Sequence, residues 1–295
     1  MGFSISEWTK AFLEQDMLIR KFNFSNNLFP EEPGEGRVVK GPIKRRLGRG
    51  VSGKTWEMEI GGLSFKASVE EGRVETADEI LKFCTRLPEP YRIALKIVSD
   101  ETEDGLTIYD DLGGAAGHGG CEYLNVTWLS LRTVLHECGH VFEQRLRKEL
   151  GESELLNEWE RAIAADKVSV SLYGEKNTWE DLSEFCVVYA VALKSNRVSE
   201  LASLSPNRTF LFSKMIEKVN NYVNEVTTMS SQTASTIDAD VVFYSIERDV
   251  TLIIAVAISS LLLVALMYSV AREGRPPLLP SDRFRDPAYD VAFID

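Results

Sequence analysis

Apolar and polar residues alternate through residues 56–68, WEMEIGGLSFKAS, on both sides of Gly61-Gly62. A period of two lays one face of a strand on a core, and a Gly-Gly pair supplies the turn of a tight hairpin. Residues 77–86 read as a helix. YRIALKIVSD (91–100), GLTIYDD (105–111) and CEYLNVTW (121–128) read as strands. Helices are expected near 128–150, 153–166, 179–195 and 206–226, the last entered through Ser205-Pro206. At the N-terminus, Trp8, Phe12 and Leu18 would form the apolar side of a first helix. This mixture predicts an α+β domain.

The pattern changes near the C-terminus. Residues 250–271, VTLIIAVAISSLLLVALMYSVA, carry no charge and are bracketed by Asp249 and Arg272. At about 1.5 Å per residue they would reach about 33 Å, enough to cross a hydrocarbon core as a single transmembrane helix. The expected organisation is therefore an N-terminal helix and hairpin region (1–75), a main domain (76–226), a polar linker or stalk (227–249), a membrane helix in contact with lipid (250–271) and a short tail (272–295). Arginines after the span favour a cytoplasmic tail, whereas the absence of an apolar leader and the late position of the span fit tail-anchored insertion. A single-pass membrane protein is expected, with the side of the main domain left open. The sequons at Asn23, Asn125 and Asn207 would matter only outside the cytoplasm.

Composition narrows the function. A formal net charge of −12 argues against a nucleic-acid partner. The cysteines Cys84, Cys121, Cys138 and Cys186 form no C-x-x-C pair, so they read as separate buried thiols. Gly2 and Ser6 match a short myristoylation pattern. Residues 48–55, GRGVSGKT, match the phosphate-binding G-x-x-x-x-G-K-[ST] pattern, but that motif needs a helix after the loop, and here a hairpin follows. A solvated basic loop is the better reading.

Residues 136–140 are His-Glu-Cys-Gly-His. Four residues apart on a helix is one turn, so His136 and His140 can aim ring nitrogens at one ion. Glu137 lies about 100° around the helix, beside that ion, where a carboxylate could take a proton from a zinc-bound water. Val134, Cys138, Val141 and Phe142 form a separate stripe for the core. The chain has three histidines, and two of them fall at this spacing.

Catalytic zinc takes three protein ligands and keeps one position open. His118, in GGAAGHGG, is one candidate. Glu180 and Glu184, four apart in a helix beginning near Trp179, are better ones: one could bind the metal and the other orient a histidine. Together, HECGH and LYGEKNTWEDLSEF resemble the catalytic domain of anthrax lethal factor and related zinc metallopeptidases. The resemblance covers residues 120–190. It implies a zincin-like fold in which His136, His140 and Glu180 bind Zn2+ and Glu137 is the general base. It further implies that Tyr173 stabilises the oxyanion or protonates the leaving group, and that Glu184 orients a histidine. Cys138 departs from the bulkier residue of the toxin, and the toxin's substrate does not carry over.

The expected function is a membrane-anchored zinc metalloendopeptidase acting on a peptide or protein. CEYLNVTW would be the edge strand that pairs with the substrate. The alternative is a catalytically silent protein of the same fold that serves as a tethered binding or structural module.

Overall fold

Gly61 and Gly62 have φ angles of +56° and +81°, a conformation that side chains with a Cβ resist. They turn the chain so that Ile60 pairs with Leu63, and the alternation on each side then buries Trp56, Met58, Ile60, Phe65, Ala67 and Val69 on one core. The computed structural model describes residues 9–235, apart from residues 11, 33, 35, 150, 152 and 153. Among these the elements are α1 (Leu18–Lys21), β1 (Gly36–Arg46), β2 (Ser52–Ile60), β3 (Leu63–Glu70), α2 (Ala77–Thr85), α3 (Glu89–Glu101), β4 (Leu106–Ile108), β5 (Gly117–Gly120), β6 (Tyr123–Val126), α4 (Leu131–Glu149), α5 (Leu155–Asp166), α6 (Thr178–Lys194), α7 (Val198–Leu204) and α8 (Pro206–Ser235).

The six strands form one sheet in the order β1-β2-β3-β4-β6-β5. The pairs β1–β2, β2–β3 and β5–β6 are antiparallel, and β3–β4 and β4–β6 are parallel. The sheet is therefore mixed. The unit containing it extends to Val223, and one apolar core runs from Leu18 to Val219. A second unit begins at Asn224, and its described part is the end of α8.

Several expectations change. The α+β class stands, but the appended membrane helix does not belong to the described fold: no described helix is long and apolar enough to cross a membrane. Residues 250–271, the tail at 272–295, Gly2 and Trp8 lie outside the described residues. The polar stretch from 227, expected as a linker, continues α8 through Ser235, since no Gly or Pro interrupts it. Phe12 is 75% exposed and does not join the core that Leu18 enters.

Residues 91–100 form helix α3 instead of a strand. Tyr91, Ala94, Leu95 and Val98 are all buried, at the i, i+3, i+4, i+7 spacing of a helix face. Pro90 lies in the first turn, where its missing N–H costs nothing. The Tyr91 hydroxyl donates to the Cys186 carbonyl at 2.8 Å, which ties α3 to α6.

β6, within 121–128, is flanked by β4 and β5 and cannot be the edge strand. The edge on that side of the sheet belongs to β5, Gly-His-Gly-Gly, and β1 is the other edge. In the phosphate-loop look-alike, residues 47–51 join β1 to β2 with no helix after them. The Gly48 amide, which would have to face a phosphate, donates instead to Asp104 Oδ2 at 2.6 Å.

Candidate metal centre

Helix α4 presents two faces. Val134, Cys138, Val141 and Phe142 are fully buried on one, while His136 and His140 lie on another with ring centroids 5.1 Å apart. Helix α6 begins at Asn177, whose side chain accepts the Glu180 amide at 2.9 Å. That cap places Glu180 in the first turn and Glu184 one turn later. The two helices touch where Gly139 meets Ser183. A Cβ on Gly139 would stand 2.7 Å from the Ser183 Cα, so only glycine permits this approach. The HECGH glycine thus lets α6 bring its carboxylates up to the histidines.

The His136 ring is held at both nitrogens. Nδ1 lies 3.0 Å from Glu184 Oε1, and Nε2 lies 3.1 Å from Glu180 Oε2. His140 Nε2 is 3.6 Å from the same Glu180 oxygen. One donor atom each from His136, His140 and Glu180 fall within 4.8 Å of one another. A tetrahedral ion with bonds of 2.0–2.1 Å separates its ligand atoms by about 3.3 Å, which the 3.1 and 3.6 Å spacings straddle. The donor chemistry agrees. If His136 Nδ1–H donates to Glu184, its Nε2 faces a carboxylate oxygen, and two acceptors at that distance are joined by a proton or by a metal ion. The His-His-Glu group can therefore hold a metal ion.

Without a metal, a proton takes that place. Burial disfavours a charged His136, but the Glu180 and Glu184 carboxylates more than offset it and push its pKa up to about 10. Burial would raise Glu180 and Glu184, yet His136 and His140 hold Glu180, and His136 with Arg132 holds Glu184, well below the usual carboxylate range. Glu184 is 4% exposed, whereas His140 and Glu180 are 19% and 20% exposed. The Nδ1 side is thus sealed, and the side where the three donors meet opens to solvent.

Glu137 is 5% exposed and outside the donor group. It lies beneath edge strand β5: a Cβ on Gly117 would stand 2.7 Å from its Oε1, and one on Gly119 would stand 2.4 Å from its carbonyl oxygen. The glycines of β5 let the strand lie directly on α4. Burial raises the Glu137 pKa against the lowering by the two histidines. The Tyr173 hydroxyl donates to Glu180 Oε1 at 3.2 Å, and its ring lies 5.6 Å from that of His136. Burial, then Glu180, pushes its pKa well up, so it remains a donor. His118 sits on β5 but is not in the donor group.

Sequence reasoning missed Arg132, Ser171 and the role of Asp181. Arg132 Nη2 donates to Glu184 Oε2 at 3.2 Å. It lies one turn before His136, so the spacing that singles out His140 also applies to it. The Ser171 hydroxyl accepts the Gly174 amide at 2.9 Å and neighbours Glu184, and no sequence signal marks it. Asp181 turns away from the metal side and binds Trp159 Nε1 and Arg208 in the core. No family model, curated protein or solved structure matches this chain.

Proposed function

We propose that this protein is a zinc metallopeptidase, with His136, His140 and Glu180 as ligands, Glu137 as general base and Tyr173 as a proton donor. The observation that carries the reading is the meeting of three N/N/O donors from two helices beside a buried carboxylate that is not one of them. Two imidazoles and a carboxylate suit zinc, and the resemblance of HECGH and LYGEKNTWEDLSEF to lethal-factor-type peptidases supports the same assignment. Zinc held there supplies Lewis acidity and an acidified water at neutral pH.

The chain's own groups then have separate tasks. Glu137, with its proton affinity raised by burial, accepts a proton from the attacking water and returns it to the leaving amine. Glu184 keeps the His136 ring oriented through Nδ1. The Tyr173 hydroxyl releases Glu180 and donates to the oxyanion.

The test is metal analysis of the purified full chain together with cleavage of a peptide library. One zinc per chain is expected. His136→Ala should abolish stoichiometric zinc, and Glu180→Gln should weaken it strongly. Chelation should stop cleavage, and added zinc should restore it. A wild-type protein that binds no zinc would overturn the reading. Tyr173→Phe should lower kcat by about 10²–10³-fold with little change in KM. Because Tyr173 also bonds Glu180, zinc affinity must be measured beside kcat. A loss confined to zinc affinity would make Tyr173 an orienter of Glu180 and not a proton donor.

A further inference from the structure

We infer that Arg132 is a positioning residue of the metal centre: its guanidinium fixes Glu184, and Glu184 aims His136. The inference rests on the zinc-site reading above. Glu184 pairs with Nδ1 on the closed side of the His136 ring, and its two oxygens have different partners. Oε1 faces His136 Nδ1 at 3.0 Å, and Oε2 accepts from Arg132 Nη2 at 3.2 Å. The terminal torsion of a glutamate is soft and broad. A donor on each oxygen fixes the carboxylate plane, and with it the direction in which the imidazole presents Nε2. With 4% exposure, Glu184 has little access to water that could replace a lost donor.

The geometry makes this a lever from one helix back onto itself. Arg132 and His136 are one turn apart on α4, while Glu184 comes from α6. Arg132 therefore holds the carboxylate in register with the histidine it must orient. A merely structural ion pair predicts something else. The Arg132 side chain is 45% exposed, and exposed pairs contribute only about 0–1 kcal/mol to stability. A positioning role predicts a loss in metal binding out of proportion to any loss of stability.

The experiment measures zinc affinity of the full chain by chelator competition, with thermal unfolding of the metal-free protein alongside. Arg132→Ala should weaken zinc on the order of ten-fold, as expected for partners that orient a ligand, with the melting temperature nearly unchanged. Arg132→Lys should recover most of the affinity, since an ammonium can supply the same single donor. In a Glu184→Gln background, Arg132→Ala should add no further loss, because the carboxamide offers one acceptor oxygen to two donors. With cobalt(II) in place of zinc, the d–d bands of Arg132→Ala should shift relative to wild type. Wild-type zinc affinity in Arg132→Ala, or an equal loss in both backgrounds, would overturn the inference while leaving the metal centre intact. Failure of the wild type to bind zinc would remove both.

Discussion

Replacing Glu137 with Ala is expected to leave zinc bound at full stoichiometry and to lower peptide cleavage by about 10²–10⁴-fold, the usual share of a general base. Metal retention follows from geometry, since Glu137 lies outside the His136, His140 and Glu180 group. Glu137→Gln is the conservative companion: it keeps the side-chain volume beneath edge strand β5 but cannot take up a proton. Both variants should bind zinc and be inactive. A Gln variant that binds zinc and cleaves at the wild-type rate would place the base elsewhere. Zinc binding by the wild type without cleavage of any library peptide would favour the catalytically silent alternative.

The parts of the site carried by helical spacing were legible in the sequence. His136 with His140, and Glu180 with Glu184, are each one turn apart, and the structure brings both pairs together. The helix boundaries near 131–149 and 178–194 were legible for the same reason. Edge strand β5 was not. Its Gly-His-Gly-Gly has no alternation to read, because its glycines answer to the closeness of α4 and not to a sheet face. Residues 91–100 misled because Ile93, Ile97 and Val98 favour strands locally, while the helical spacing of Tyr91, Ala94, Leu95 and Val98 decides their burial. The least legible feature was the partnership of Asp166, Asp181 and Arg208, charges far apart in the sequence. Each alone reads as an ordinary surface charge.

That cluster gives the largest stability effect expected in the molecule. Arg208 is fully buried. It donates to Asp166 Oδ2 at 3.2 Å, to Asp181 Oδ2 at 2.9 Å, to Ser205 Oγ at 3.0 Å and to the Val168 carbonyl. Arg208→Met roughly fills the volume but leaves two sequestered carboxylates without a cation, a change that typically costs about 3–5 kcal/mol. Denaturant unfolding of the metal-free protein at pH 7 should show that loss. The pH dependence should also change. In the wild type, Asp166 is held below its ordinary value of 3.8, so its contribution is present above that pH and fades as pH falls through the lowered value. Asp181 is already raised by burial, with Arg208 pulling it down. Without the arginine, the Trp159 N–H is left to oppose that burial, so Asp181 rises further, protonation favours the folded variant, and its deficit should shrink as pH falls toward the raised value. Adding Asp166→Asn and Asp181→Asn should recover much of the loss at pH 7 by removing the unpaired charges. A single Arg208→Met variant as stable as wild type would show that the cluster contributes nothing net, and that α8 is held to α6 by apolar packing such as Phe185 against Phe212.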